Sequence, residues 1–471
     1  MLTVADVLEA LTGVRPEAAN QVITEAVFDS RKVIPGSLFV ALPGERVDGH
    51  DFIESAFQRG ASLALVQRAI SEHGRMLDLR TGSAEDSLHI PEMPFCLLVH
   101  DSLKALQQLA RFWRRKLNIR VIGITGSVGK STTKELVAEV LEQRYRTLKN
   151  PGNLNNEIGL PISLLRLSEG HQSAVLEMGF YVPGEIAFLC DLALPQVGVI
   201  TNIGTVHAER AGSQEAIARG KAELVESLPP DGVAILNYDD PLVREMAAKT
   251  QARVFFYGLD QQADLWADEV VGLGLDGIRF QLHYRGERLT LRVPLIGRHS
   301  VHTALRAAAV GLVEGLTWQE IISGLRSGNT QLRLVAVRTE SGALLLDDTY
   351  NASPQSTLAA LNLLEELDGR KIAVLGDMLE LGPYEVRGHE LVGLRAAEVV
   401  DELVTIGELG GIIARAAFKS GLAETSITQL ETTQQAISYL KPKLGSEDVV
   451  LVKGSRGMQM DRIVAALEYR E

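Results

Sequence analysis

The sequence predicts an α/β protein of three domains, and three observations carry that prediction. Apolar runs of strand length alternate with segments of helical periodicity through the middle and end of the chain, the pattern of mainly parallel sheets. A Gly-rich turn joins one such strand to one such helix at residues 125–133. The length of 471 residues accommodates about three domains of ~150 residues each. Boundaries are expected near residue 100 and within residues 327–331, giving domains of residues 1–100, 101–328 and 329–471.

In the first domain a helix is expected over residues 4–11, with strand-like runs at Ser37-Leu-Phe-Val-Ala-Leu, Ala64-Leu-Val and Phe95-Cys-Leu-Leu-Val. Residues 70–93 are polar and contain Pro, so they read as an excursion or loop. Asp29-Ser-Arg-Lys and residues 39–52 are dense in polar side chains and turn residues. They fit a ligand edge or an ordinary surface loop with a capped helix after Asp51.

A helix over residues 101–117, with Leu103, Leu106, Leu109, Ala110 and Trp113 on one face, leads into a buried strand at residues 119–124. After that strand, Gly126 and Gly129 let backbone N–H groups close around phosphate oxygens. Lys130 supplies positive charge there, and the Ser131 hydroxyl can hold Mg²⁺. Leu136, Val137, Val140 and Leu141 continue at helical spacing. Only the GxxGK[ST] core of the longer phosphate-loop pattern is present, because Ile124 stands where that pattern has Gly. The strand before and the helix after it point to a nucleotide phosphate site rather than a plain turn.

Further strands are expected at Ala174-Val-Leu-Glu, Val197-Gly-Val-Ile-Thr-Asn-Ile and Gly232-Val-Ala-Ile-Leu-Asn. Ligands of parallel sheets gather beyond the carboxyl ends of strands, which singles out Glu177, His207 and Lys221. Glu177 ends an apolar run and can hold Mg²⁺; His207 follows the strand ending at Ile203. Lys221 lies four positions from Ile217, three from Leu224 and seven from Leu228, on the apolar face of a helix after Ser213. Burial lowers an amine's pKa, and a neutral amine can react with CO₂ to become a carbamate, an anionic ligand for a second metal. The alternative is a lysine snorkelling at the rim.

Residues 251–296 read as short strands of an antiparallel insertion or edge, and a helix begins after Gly297-Arg-His. The last domain repeats strand then helix, with strands at residues 343–346, 372–375, 403–406 and 449–452, so that four polar loops leave one edge of a sheet.

The net charge of −13 argues against a basic nucleic-acid face. Cys96 and Cys190 are the only cysteines and have no CxxC spacing, which suggests neither a disulfide framework nor a zinc site and points to a reducing cytoplasm. No apolar run approaches the ~18–20 residues of a membrane span, and the N-terminus lacks a basic region followed by an apolar core. The chain is expected to be soluble and uncleaved, with no stable membrane insertion.

The ordered set Thr125-Gly-Ser-Val-Gly-Lys-Ser-Thr-Thr, Gly152-Asn-Leu-Asn-Asn-Glu-Ile-Gly-Leu-Pro, Leu176-Glu-Met-Gly, Thr201-Asn-Ile-Gly-Thr-Val-His and Gly220-Lys-Ala-Glu-Leu resembles the Mur ligase family. The resemblance continues through Asp347-Asp-Thr-Tyr-Asn-Ala-Ser-Pro, Gly376-Asp-Met-Leu-Glu-Leu-Gly and Val452-Lys-Gly-Ser-Arg-Gly-Met, and so spans nearly the whole chain. It implies an N-terminal α/β domain that binds the UDP-muramoyl precursor, a central P-loop ATPase-like parallel-sheet domain and a C-terminal Rossmann-like α/β domain.

The activity implied is an ADP-forming amide ligase working through an acyl phosphate. The Asp347 and Val452 motifs fit the branch that adds D-alanyl-D-alanine to UDP-N-acetylmuramoyl-tripeptide, making the pentapeptide precursor of peptidoglycan. The Asp-Asn-Pro-Arg loop of a branch adding a single amino acid is absent. A sister ligase and a nucleotide-binding regulatory protein of the same fold are the alternatives.

By the same resemblance Thr125, Gly126, Ser127, Val128, Gly129, Lys130, Ser131 and Thr132 face ATP, joined by Ser300, Arg333 and Asp348. Ser131, Glu177, His207 and a carbamylated Lys221 hold two Mg²⁺ ions, and Lys130, Lys221, His207 and Glu177 form the catalytic set. Ser30, Arg31, Asn155, Asn156, Tyr350, Asn351, Lys453, Ser455 and Arg456 contact the substrates. The last domain is expected to close and exclude water, in a monomer. One departure stands out: Ser300 and Thr303 occupy positions where the family usually has Asn, and serine is shorter with no amide donor for adenine.

Overall fold

The computed structural model describes residues 1–44, 47–70, 75–80, 89–205, 208–327 and 335–469. Three sheets follow one another along the chain. The first has five parallel strands in the order Ala26–Val27, Leu38–Val40, Leu63–Val66, Phe95–Leu98 and Met76–Asp78. Its middle is fully buried because Leu38, Phe39, Leu63, Leu65, Phe95 and Leu97 fill both faces. Met76–Asp78 lies inside the stretch expected to be a loop. It is an edge strand with its first and last residues exposed, so no apolar run announces it. The cap beside Asp51 also falls elsewhere: Asp48 accepts from His50 N and starts the turn Gly49–Phe52.

The helix Ser102–Lys116 is capped by Asp101, whose side chain accepts from Lys104 N at 2.9 Å. Leu106, Leu109 and Trp113 belong to one core with Leu38 and Leu97 of the first sheet and Leu160 and Leu164 of the central region. This helix therefore fastens the first sheet to the central region.

The central sheet has nine strands. From one edge they are Glu287–Val293, Ile278–Tyr284, Leu265–Gly272, Arg253–Gly258, Val233–Asn237, Val197–Ile200, Arg120–Thr125, Ser173–Glu177 and Thr147–Lys149. The antiparallel expectation for residues 251–296 holds only at the edge. Arg253–Gly258 runs parallel to Val233–Asn237, and the reversal begins between Leu265–Gly272 and Ile278–Tyr284. Phe255 and Tyr257 explain the difference: both are buried in the core beneath Val301–Val313, a requirement of an inner strand. Chain order reverses on either side of Arg120–Thr125, making its carboxyl end the switch point where ligands bind.

The third sheet has six strands, Val335–Arg338, Leu344–Asp348, Asp448–Lys453, Arg370–Gly376, Glu402–Ile406 and Ile427–Leu430, all parallel except the first. The loops after Asp348, Gly376 and Lys453 leave its carboxyl edge and meet the switch point of the central sheet.

Candidate active site

The loop after Thr125 turns twice through the left-handed region, at Gly126 (φ +144°) and Gly129 (φ +81°). A side chain at Gly126 has no room, since its Cβ would stand 1.8 Å from Thr201 Oγ1. The segment Thr201-Asn202-Ile203-Gly204 grips this loop. Ser127 N donates to Asn202 O at 2.9 Å and Val128 N to Asn202 Oδ1 at 3.0 Å. Val128 O accepts from Thr201 Oγ1 at 2.7 Å and Asn202 Nδ2 at 3.1 Å, while Ser127 Oγ accepts from Gly204 N at 2.8 Å. With Ser127 and Val128 N–H groups committed to the grip, the first turn of Lys130–Glu142 is left to face phosphate oxygens.

Lys130 Nζ donates to Gly126 O at 2.9 Å and Ser127 O at 3.3 Å. Lys221, near the middle of the helix Gln214–Glu226, reaches the same Gly126 oxygen at 2.9 Å. Its amine lies 4.8 Å from the Phe180 ring centroid and its side chain is buried. Burial first, then the charge of Lys130, hold its pKa well below the usual lysine value, with Glu177 opposing. The snorkelling alternative is thereby excluded.

Glu177, at the end of Ser173–Glu177, is 1% exposed. Its Oε2 accepts from Ser131 Oγ at 2.5 Å and its Oε1 from Asn155 Nδ2 at 2.8 Å. Asn155 is brought there by a buried frame: Lys134 Nζ donates to Asn150 O at 2.8 Å and Gly152 O at 3.0 Å. Asn150 exchanges hydrogen bonds with the Glu177 backbone, accepting at Oδ1 from N at 2.9 Å and donating from Nδ2 to O at 3.1 Å.

Two clefts share Ser127, Lys130 and Asn351. One runs from Val128, Gly129 and Thr132 past Ile296, His299, Ser300 and Thr303 to Asp348, Ala352, Ala360 and Lys453. There Lys453 Nζ pairs with Asp348 Oδ2 at 2.6 Å and donates to Asn351 O at 2.9 Å. The other is lined by Asn153, Asn155, Glu177, Phe180 and Tyr181 on the central side. Tyr350, Leu379, Glu380, Ser455 and Arg456 face them, with the Arg456 guanidinium 5.8 Å from the Tyr350 ring centroid.

Most residues singled out in the sequence thus converge, but several stand apart. Thr125 is buried and its hydroxyl donates to Met178 O at 3.0 Å, a contact that fastens the loop to the sheet. Asn156 Oδ1 accepts from Gly159 N at 2.9 Å at the start of Gly159–Leu165, so its side chain stabilises a helix start. Ser30 and Arg31 sit on the first sheet's side and line neither cleft. Arg31 forks onto Asp29 through Nε at 2.9 Å and Nη2 at 2.8 Å. Ser300 does line the first cleft, but it turns its hydroxyl to Ile296 O at 2.7 Å. His207 and Arg333 lie outside the described residues.

Sequence reasoning missed Asn202, whose grip on the loop was present only as a letter in a motif, and Lys134, one turn beyond Lys130. It also missed His299, whose pKa is pushed down to about 4 by burial, with His302, Arg306 and Lys453 adding to it. An imidazole beside a polar Ser-Val-His-Thr turn was the available signal.

Two α/β domains facing each other across a phosphate loop define a nucleotide-dependent enzyme whose substrates meet at a domain interface. Family models match accordingly: Mur ligase family, catalytic domain, over residues 22–114; Mur ligase middle domain over residues 124–311; and Mur ligase, glutamate ligase domain, over residues 332–456. The chain belongs to the Mur ligase family. It is 37% identical to the UDP-N-acetylmuramoyl-tripeptide--D-alanyl-D-alanine ligase of Bacillus subtilis, covering 99% of this chain and 98% of that one. Its fold superposes on MurF from Acinetobacter baumannii with TM-score 0.82, at 32% identity over 98% of this chain and 97% of that one. The MurF ligase from Thermotoga maritima in complex with ADP gives TM-score 0.77 at 28% identity, with 97% of each chain covered.

Proposed function

We propose that this chain joins D-alanyl-D-alanine to UDP-N-acetylmuramoyl-tripeptide at the expense of ATP, forming the pentapeptide precursor of peptidoglycan. The observation that carries this reading is the pair of clefts meeting at Lys130, one fit for a nucleotide and one for a peptide carboxylate and an incoming amine. A terminal carboxylate oxygen of the tripeptide attacks the γ-phosphorus, ADP leaves, and an acyl phosphate forms. The dipeptide amine then attacks the acyl carbon; phosphate departs, the nitrogen loses its proton, and an amide remains.

The chain's own residues act mainly by position and charge. The first turn of Lys130–Glu142 and the Lys130 amine hold the phosphates, and Asn155 lies where the muramoyl peptide enters. Tyr350, Asn351, Ser455 and the cationic Arg456 face the dipeptide from the last domain. Closure of that domain over the clefts keeps water from the acyl phosphate.

Mg²⁺ fits the site. Among the described residues the oxygens of the buried Glu177 carboxylate accept from the neutral Ser131 and Asn155 alone, and no lysine or arginine forms an ion pair with it. Such a group calls for a cation. Ser131 and Glu177 would hold one ion, and His207 with a carbamate on Lys221 a second; bound magnesium neutralises the charge that builds during phosphoryl transfer. Burial, which lowers the Lys221 pKa, favours the uncharged form of its amine that takes up CO₂ with release of a proton.

We assign the three domains to residues 1–100, 101–328 and 329–471, with Ser30, Arg31 and residues 39–52 toward the uridine end of the precursor. Both clefts are built from one chain, which supports a working monomer, and the cytoplasm supplies its ATP. Among the described residues no helix is long and apolar enough to cross a membrane.

The test is phosphate release from ATP with UDP-muramoyl-tripeptide and either D-alanyl-D-alanine or single amino acids. Turnover with the dipeptide alone is expected; turnover with a single amino acid would make the chain a sister ligase, and none with any amine would overturn the enzymatic reading.

A further inference from the structure

Beneath the phosphate loop lies a cation to which the steps above assign no part. Arg306, in the middle of Val301–Val313, is 3% exposed. Its guanidinium is fixed by three neutral oxygens: Nε donates to Thr133 Oγ1 at 2.8 Å, Nη2 to Thr303 Oγ1 at 2.8 Å and Nη1 to the Tyr257 hydroxyl at 3.3 Å. Among the described residues no carboxylate pairs with it. Tyr257 does not take the part of an anion, because burial raises its pKa and keeps the phenol neutral.

Burying an arginine without an anion is costly, and here a frame of neutral oxygens holds the charge in one orientation. The frame here is aimed. A Cβ at Gly129 would stand 3.2 Å from Arg306 Nη2, which places the guanidinium directly behind the loop residue that starts the phosphate-facing helix turn. Gly129 and Thr303, the two neighbours of Nη2, both line the nucleotide cleft. With the Lys130 amine on Gly126 O, Arg306 sets a second positive charge against the same short loop.

We propose that Arg306 is a positioning residue for the nucleotide: a fixed positive charge behind Gly129, oriented by Thr303, that favours the more highly charged polyphosphate. It acts through the loop and its field and does not touch the reacting atoms. Thr303 thereby has a specific task, since its hydroxyl accepts from Nη2 and its side chain faces the cleft. The inference rests on the reading of this cleft as an ATP site.

The test is calorimetric titration of the full chain with ATP, ADP and AMP at one magnesium concentration, for wild type, Arg306→Gln, Arg306→Lys and Thr303→Val. Arg306→Gln is expected to weaken ATP on the order of tenfold, as loss of one low-dielectric charge contact does. ADP should weaken less and AMP least, and KM for the muramoyl tripeptide should stay within about twofold. Arg306→Lys should recover part of the loss. Should Arg306→Gln not fold, Thr303→Val decides, with the same graded loss expected because the charge is kept but no longer aimed. Equal losses for all three nucleotides, or none, would overturn the role of Arg306 while leaving the ATP site intact. Wild type that binds no adenine nucleotide would overturn both readings.

Discussion

Gly126→Ala offers a perturbation whose size follows from geometry. The backbone at this position has φ +144°, and the new Cβ would lie 1.8 Å from Thr201 Oγ1, 2.9 Å from its Cβ and 3.0 Å from its N. Placing an L side chain in that region costs about 1–2 kcal/mol. Thr201 must also move, forfeiting its hydrogen bond to Val128 O, worth about 1 kcal/mol. The expected destabilisation is therefore roughly 2–3 kcal/mol. Activity should suffer more than stability, because the carbonyl of residue 126 accepts from both Lys130 and Lys221. A shift on the order of 1 Å in such a group lowers turnover ~100-fold.

Thermal unfolding and kcat/KM for ATP measure the two effects. Thr201→Ala in the same chain removes the 1.8 Å contact but keeps the Cβ at 2.9 Å. The double variant should consequently be less damaged than the sum of the singles by about 1 kcal/mol. A Gly126→Ala protein as stable and active as wild type, or strictly additive losses, would refute this account of the loop.

Three further outcomes are expected. Lys134→Met leaves the buried carbonyl of Asn150, and the part-buried one of Gly152, without their donor, which costs on the order of 1–3 kcal/mol. Its loop displacement should raise KM for the muramoyl tripeptide while ATP affinity, read by titration, is preserved. For Lys221 the folded pKa is depressed, so the unfolded chain binds more protons below its own pKa, about 10.4. In CO₂-free buffer the stability of wild type relative to Lys221→Met should rise from neutral pH toward that value, measured by denaturant melts; the mutant should be inactive, with partial rescue by short carboxylates. His299, pushed down to about 4, stays neutral in the folded chain, so stability should fall as pH drops from about 6.5 to 4, by no more than roughly 3 kcal/mol. His299→Gln should flatten that acid limb in melts run across the interval.

Much of the central site was legible because its chemistry is local. A strand, two glycines, a lysine and a serine within residues 119–131 specify a phosphate loop, whereas apolar spacing placed Lys221 on the apolar face of its helix and left burial and snorkelling both open until its contacts were seen. What could not be read was the support. Asn202 grips Val128 across 74 residues of sequence, and Lys134 reaches Asn150 and Gly152 through contacts that no periodicity encodes. The strand Met76–Asp78 escaped notice because an edge strand needs no apolar run, whereas Arg253–Gly258 was grouped with an antiparallel edge because strand direction depends on which neighbour it meets. Arg306 looked like an ordinary helix residue until Thr133, Thr303 and Tyr257, drawn from three separate elements, were seen around it.

Ser127, Lys130 and Asn351 belong to both clefts, and Asn351 comes from the domain opposite the other two. Parting the two domains would therefore dismantle both lined surfaces in a single movement, and nucleotide and peptide would be expected to leave in the same opening. A molecule carrying a polyphosphate mimic and a dipeptide mimic on one short tether would occupy both halves together. Its second arm would bind at an effective concentration in the millimolar range, roughly, and it would hold the enzyme shut.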